Sequence, residues 1–239
     1  MPDRVSPYRG HRFPAEVIAD AVRLYLRCAL SYRDVEELLA ERGIVVSYET
    51  VRGWVAKFGA QYAEALRRRE GRPGRTWHLD EAATRVGGRV HWPWRAVDEH
   101  GQTLDVLLQE RRDTAAAARF FRRLLAGAVP PERVTTDKLG SYAAALARLP
   151  ELVGVGHQQV RSARRCNNRV EQAHQPTRLR ERVMRRFKSP ASAQRFLDAL
   201  SRVGSLFRPG RHRLAAAVYR ATMRERVITW RAVAGLRAA

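Results

Sequence analysis

Cysteine is nearly absent from this 239-residue chain. Cys28 and Cys166 are the only two, too few for a disulfide framework and without the Cys-x-x-Cys spacing of a metal site. Both are expected to be reduced thiols. No apolar run approaches the roughly 18 residues of a membrane span, and the first residues, "MPDRVSPYRGHRF", lack the apolar centre of a signal peptide. The expectation is a soluble cytoplasmic protein with no membrane partner. Internal repeats are absent. Lysine is scarce as well: only Lys57, Lys138 and Lys188 stand among 45 basic residues. A genome rich in G and C would produce the same bias, so the placement of charge is informative and the preference for arginine is not.

Acidic residues number 24, leaving a net charge of +21. The excess is uneven. Residues 1–75 hold 14 basic against 10 acidic side chains, residues 76–160 hold 11 against 10, and residues 161–239 hold 20 against 4. The middle is near neutral, and the last third carries the electrostatic footprint for a polyanion. Apolar residues make up 45%, enough for a real core.

Periodicity divides the chain. Residues 13–70 read as short helices. Pro14 suits a first helical position, and Val17, Ile18, Ala21, Leu24, Tyr25 and Cys28 recur at helical spacing. "SYRDVEELLAERG" opens with a capping-box pattern at Ser31 and stops at Gly43. Ser47 caps "YETVRGWVAKFG", which turns Val51, Trp54, Val55 and Phe58 inward and Tyr48, Glu49, Arg52 and Lys57 outward. Two short helices joined by a brief turn make a helix-turn-helix candidate; an ordinary helical hairpin is its rival. "RRREGRPGR" reads as a linker. Three antiparallel strands follow, "RTWHLDEAA", "RVHWPWRAVD" and "TLDVLLQERR", separated by Gly87-Gly88 and by "EHG". An alanine-rich helix capped by Asp113, the strand "RVTTD", the helix "GSYAAALARL" and a strand near Val155–Val160 complete a mixed sheet flanked by helices. The remainder is helical, with two amphipathic stretches between Arg211 and Arg237. Trp77, Trp92, Trp94 and Trp230 read as core rather than as base-stacking platforms.

Scarce acid makes its position informative. Asp80 lies in the first strand, Asp137 ends "RVTTD", and Glu171 opens the helical "NNRVEQAH". Strand alternation puts His78 and Asp80 on one face and Trp77, Leu79 and Glu81 on the other. Asp80 and Asp137 converge if their strands are neighbours, with Glu171 on a helix across the crevice. Three such carboxylates repel by about 4 kcal/mol per pair at about 4 Å and a dielectric near 20. Divalent cations relieve that repulsion, and oxygen-only ligands suit Mg²⁺ or Mn²⁺. Two ions about 3.5–4 Å apart support in-line displacement at phosphorus, by water or by a 3′ hydroxyl. Glu81, Asp98 and Asp105 compete for these roles. Asp98 reads as a hairpin residue and Glu81 points away from Asp80, but the pattern alone does not choose.

"WHLDE", "WRAVDEHGQTLDVLLQERRD", "TTDKLGSY", "NNRVEQAHQPTR" and "RFKSPASAQRFL" together resemble the bacterial DDE transposases of the insertion-sequence-six family, also named for insertion sequence twenty-six. The resemblance runs from about Leu30 to about Leu206. It implies an α/β fold: a ribonuclease-H-like mixed sheet flanked by helices, preceded by an all-α helix-turn-helix region and followed by a basic helical C-terminal region. The expected domains are 1–70 for DNA binding, 71–205 for catalysis and 206–239 as an extension. It implies Asp80, Asp137 and Glu171 as the catalytic, metal-holding carboxylates, with 33 residues between the last two. It also implies double-stranded DNA as partner, at the element ends and at the target, with Ser47, Tyr48, Arg52 and Lys57 on the reading helix. Arg178 matches a basic position near the DNA end. His174, one turn after Glu171, is open to three roles: phosphate contact, proton shuttle or packing. Cointegrate formation, a homodimer or higher oligomer and a nucleoid-associated location in the bacterial cytoplasm follow from the same resemblance.

Two prolines depart from expectation. Pro93 stands where relatives have a larger apolar residue in an interior strand, and fits a bulge or an edge better. Pro176 lies five residues after Glu171 and implies a kink or a late helix start. The rival functions are a helix-turn-helix regulator without chemistry and an inactive transposase relic.

Overall fold

The computed structural model describes residues 6–160, 168–184, 187–208 and 214–236, and only the backbone of 168–173. The chain forms two compact units, residues 1–70 with 202–239, and residues 71–201.

The first unit begins with α1 (Ala15–Arg27), α2 (Tyr32–Ala40) and α3 (Tyr48–Arg67), each packed on the other two. Pro14 stands at the N-cap of α1, one residue before the first helical position. Ile18, Val22, Tyr25 and Leu26 form its buried stripe. The capping box of α2 is complete: Ser31 Oγ accepts from Asp34 N at 3.1 Å, and Asp34 Oδ2 accepts from Ser31 N at 2.8 Å. The helix stops where Gly43 takes φ +72°. There Ile44 N donates to Leu39 O and Gly43 N to Ala40 O, a Schellman closure. Seven residues, 41–47, separate α2 from α3, where the sequence suggested a briefer turn. α3 runs on past Gly59 because Phe58, Tyr62 and Leu66 continue its buried face at four-residue steps.

The second unit contains β1 (Thr76–Glu81), β2 (Thr84–Val86), β3 (Arg89–Asp98), β4 (Thr103–Gln109), α4 (Thr114–Leu125), β5 (Arg133–Thr136), α5 (Gly140–Arg148), β6 (Gly156–Gln159), α6 (Asn168–Val183) and α7 (Pro190–Phe207), the last continuing past residue 201 into the first unit's share of the chain. β3 pairs antiparallel with β4 and with β1; β1 pairs parallel with β5, and β5 with β6. The result is a mixed sheet flanked by helices. The sequence reading missed β2, a three-residue strand hairpinned to β3 through Gly87 (φ +56°) and Gly88 (φ +82°), whose paired positive φ values suit a type I′ turn.

Pro93 is accommodated by that extra strand. It pairs with Leu108 of β4 on one side. On the other, the ladder to β2 ends at His91 and the ladder to β1 begins at Trp94, so no strand residue stands opposite Pro93. It occupies a local edge, where proline is tolerated. The bulge lies elsewhere, between Ala96 and Val97.

One face of the sheet is dry. Trp77 and Leu79 of β1, Trp94 and Ala96 of β3 and Val134 of β5 pack against Phe120, Phe121 and Leu124 of α4 and Tyr142 and Ala145 of α5. Each large side chain so buried contributes about 1.5–3 kcal/mol. Asp113 caps α4 by accepting from Ala116 N at 2.8 Å. α6 packs on β1 and β3. α7 docks on edge strand β4, where Gln194 Nε2 donates to Val106 O and its Oε1 accepts from Leu108 N.

Beyond α7, the described residues form one helix, α8 (Ala216–Val233), where two amphipathic stretches were expected between Arg211 and Arg237. It packs on α3 within the first unit: Trp230 meets Tyr62 edge to face at 5.1 Å, and Tyr8 Oη donates to Ala234 O at 2.6 Å. Of the four tryptophans read as core, Trp77, Trp94 and Trp230 are buried and Trp92 partly so. Among the described residues no helix is long and apolar enough to cross a membrane.

Candidate active site

β1 and β5 are neighbours. Their parallel register pairs Thr76 with Arg133 and His78 with Thr135. Asp80 lies two residues beyond His78 in β1, and Asp137 follows β5 directly. Both residues therefore stand at the C-terminal ends of two neighbouring parallel strands.

Asp137 is held by three neighbours. Its Oδ1 accepts from Leu139 N at 3.0 Å, its Oδ2 lies 3.3 Å from Arg112 Nη2, and Thr136 Oγ1 donates to its backbone carbonyl. Arg112 is itself anchored, with Nε donating to Glu81 Oε1 at 2.5 Å and its guanidinium 5.2 Å from the centre of the Trp92 ring. The Glu81 side chain is fully buried on the face opposite Asp80 and also accepts from the Tyr142 hydroxyl. Burial pushes Glu81 above the usual carboxylate range, with Tyr142 and Arg112 offsetting part of the rise. Burial likewise pushes the Tyr142 hydroxyl well up, and the adjacent Glu81 adds to it.

Asp80 faces α6. His174 Nε2 lies 3.6 Å from Asp80 Oδ2, and the imidazole is 1% exposed. Burial, with Arg95 and Arg178 nearby, pushes its pKa down to about 3. The ring is therefore neutral near pH 7, and the contact with Asp80 is not an ion pair. Arg95, the cross-strand partner of Asp80, is buried on the same face. It donates from Nη2 to Thr177 Oγ1 of α6 at 2.9 Å and from Nη1 to Ser201 Oγ of α7 at 3.2 Å.

The backbone of α6 begins at Asn168, so Glu171 lies inside the helix, one turn before His174; its side chain is outside the described residues. The helix runs through Pro176 and starts before Glu171, not after it. Residues 161–167, Cys166 among them, are likewise outside the described residues.

The competing acids are committed elsewhere. Asp98 is buried and accepts from His100 N and Gln102 N at 2.9 Å each, closing its hairpin. Asp105 pairs with Arg123 at 2.6 Å. Among the described residues no three His, Cys, Asp or Glu converge on a metal position. The donor set of Asp80 and Asp137 is nonetheless all-oxygen, the chemistry that Mg²⁺ or Mn²⁺ takes.

In the first unit, Ser47 caps α3 by accepting from Thr50 N at 3.3 Å. Tyr48 lies half-buried, with its ring centre 4.6 Å from the Arg33 guanidinium. Arg52 and Lys57 are exposed, the Lys57 Nζ lying 3.4 Å from His11 Nε2; Arg178 on α6 is exposed too.

The sequence reading passed over Arg95, Arg112 and Tyr142. For Arg95 a signal existed: a charged residue inside the apolar run "WPWRAV" must find partners when buried. Arg112 and Tyr142 carried none.

A family model described as a DDE domain matches residues 74–209, more than half of the chain. The transposase for insertion sequence-like element IS431mec of Staphylococcus aureus is 30% identical over 207 residues, 87% of this chain and 91% of that protein. The transposase for insertion sequence element IS257 in transposon Tn4003, also from Staphylococcus aureus, matches at the same identity and coverage. A simian T-cell lymphotropic virus intasome bound to PP2A regulatory subunit B56 gamma overlaps 43% of this chain and 38% of its own at TM-score 0.34 and 14% identity, too slight a likeness to bear on the fold. With the matched domain spanning both strand-borne aspartates and the helix that carries Glu171, the chain belongs to the insertion-sequence-six family of DDE transposases.

Proposed function

We propose that this protein binds the terminal inverted repeats of its element and catalyses metal-dependent DNA strand cleavage and strand transfer. The observation that carries the reading is the parallel pairing of β1 with β5, which supports a site at the C-terminal ends of these neighbouring strands, with Asp80 in the first, Asp137 directly after the second and Glu171 on α6, a helix packed on β1. Three antiparallel strands followed by two parallel ones support a ribonuclease-H-like catalytic domain.

Asp80, Asp137 and Glu171 would hold Mg²⁺ or Mn²⁺. When bound, a divalent pair activates an attacking oxygen and neutralises the leaving one. Asp80 is presented by β1 and Asp137 by the residue after neighbouring β5, and Arg112 orients the second. Exposed Arg178 pairs with the backbone near the element end. A water oxygen attacks phosphorus there, the P–O3′ bond breaks, and the 3′ hydroxyl is freed. That hydroxyl then attacks a target phosphodiester, forming one P–O bond as another breaks and releasing a target 3′ hydroxyl. A dimer or higher oligomer holding two ends yields a cointegrate.

For DNA reading, α2 and α3 act as the helix-turn-helix, with Ser47, Tyr48, Arg52 and Lys57 at the major groove. Residues 161–239, with their 20 basic and 4 acidic side chains, grip the backbone. The test is Mg²⁺-dependent nicking of an inverted-repeat duplex. Nicking at the element end supports the reading. Binding that leaves the strand whole overturns it in favour of a regulator, and a large gain on Pro93→Leu would identify a damaged relic.

A further inference from the structure

Among the described side chains, three of α6 meet the sheet. His174, Thr177 and Glu181 stand at i, i+3 and i+7, one side of a helix. His174 meets Asp80 of β1, Thr177 accepts from Arg95 of β3, and Glu181 Oε1 accepts from the backbone N–H of Arg85 in β2 at 3.2 Å. Glu171 lies three residues before the first of these on the same backbone. A buried guanidinium is costly unless its donors are used. Here two of them span two helices, to Thr177 on α6 and Ser201 on α7, all three residues being nearly excluded from water. A lysine is a point donor and could not reach both. Arg95 also stems from an interior strand held by β1 and β4, opposite Asp80 itself. The fork therefore refers the position of α6 to the strand that fixes the first carboxylate.

We infer that Arg95 and Thr177 are positioning residues that set the register of α6, and so of Glu171, against Asp80. They act through the helix. The inference rests on the catalytic reading of Asp80, Asp137 and Glu171.

The test compares Thr177→Val, which keeps shape and removes the acceptor, with Thr177→Ser, which restores it, in the full chain. Three quantities are read: strand cutting of the inverted-repeat duplex, the urea midpoint, and the half-saturating Mn²⁺ of the protein–DNA complex, followed by electron paramagnetic resonance. Thr177→Val leaves a buried Arg95 donor unpaired and should lower the urea midpoint; beyond the resulting loss of folded protein, it is expected to lower cutting and weaken Mn²⁺ binding about 10–100-fold, the usual loss when a partner outside the metal's own ligands is removed, with DNA binding of the folded fraction nearly unchanged. Thr177→Ser should regain most of both. Unchanged cutting in Thr177→Val overturns the inference. So does a loss that only tracks the folded fraction while Mn²⁺ binding stays put. Asp80→Asn and Glu171→Gln run in parallel separate the two failures: if they still cut, the catalytic reading falls, and if they are dead while Thr177→Val is normal, only the positioning role falls.

Discussion

The two faces of β1 are built on opposite plans. Toward α4 and α5 the strand presents Trp77 and Leu79, which join an aromatic and aliphatic core with no exposed surface. Toward α6 it presents His78 and Asp80, surrounded by Arg95, His174 and Thr177, all nearly buried and all polar. The first face gains stability from removing apolar area from water. The second gains little of that, and its polar groups must be matched one by one. The apolar core face and the polar face of this strand thus alternate from one residue to the next. Glu81 is the exception, a carboxylate on the dry face that reaches Arg112 and through it Asp137.

The largest effect should break the polar face without touching the fold. Asp80→Asn, Asp137→Asn and Glu171→Gln are each expected to abolish strand cutting in a Mg²⁺ nicking assay while leaving affinity for the inverted repeat nearly intact. Retained cutting in any one removes that residue from the site. Leu79→Ala does the reverse: it should cost about 2–5 kcal/mol in urea unfolding, as buried leucine truncations do, and lose cutting only as the folded fraction falls. Should Asp80→Asn destabilise the protein as much as Leu79→Ala, the division of labour between the faces is wrong. Tyr142→Phe probes the exception. Removing one donor from buried Glu81 should cost about 1–3 kcal/mol of stability, and a cost near zero would mean that Arg112 alone satisfies the carboxylate. Outside the sheet, Arg52→Ala should weaken inverted-repeat binding about tenfold, equal to about 1.4 kcal/mol, with less loss on random DNA; an equal loss on both refutes base reading. The smallest change is a slope. Neutralising basic residues of 161–239 in pairs should flatten log affinity against log salt by about 0.9 for each phosphate no longer neutralised, and an unchanged slope would rule out a backbone grip there.

Much of the fold was legible because it is local. Ser31 and Asp113 announce their helices through bonds that close within three residues. The alternation of "TWHLDE" and "HWPWRAV" declares which side chains enter the core. β2 was missed because three residues carry too little periodicity to register, although the Gly87-Gly88 turn beside them pointed to it. The continuation of α6 through Pro176 was missed because proline removes one helical bond, and contacts to β1, β2 and β3 outweigh that loss. At the candidate site, Asp80 and Asp137 were singled out by position and by the family resemblance. Arg112 and Tyr142 were not, because their partners lie 31 and 61 residues away, and no spacing rule connects them.

Sequence by itself determined the strand alternation, the helix caps and the family, since each depends on neighbours along the chain or on a motif read in order. Tertiary structure alone decided that β1 lies beside β5, that Pro93 meets an open edge, and that a buried arginine ties α6 to the strand of the first carboxylate. Those are long-range pairings, selected by which faces can be buried together, and a one-dimensional pattern does not encode which distant partner completes them.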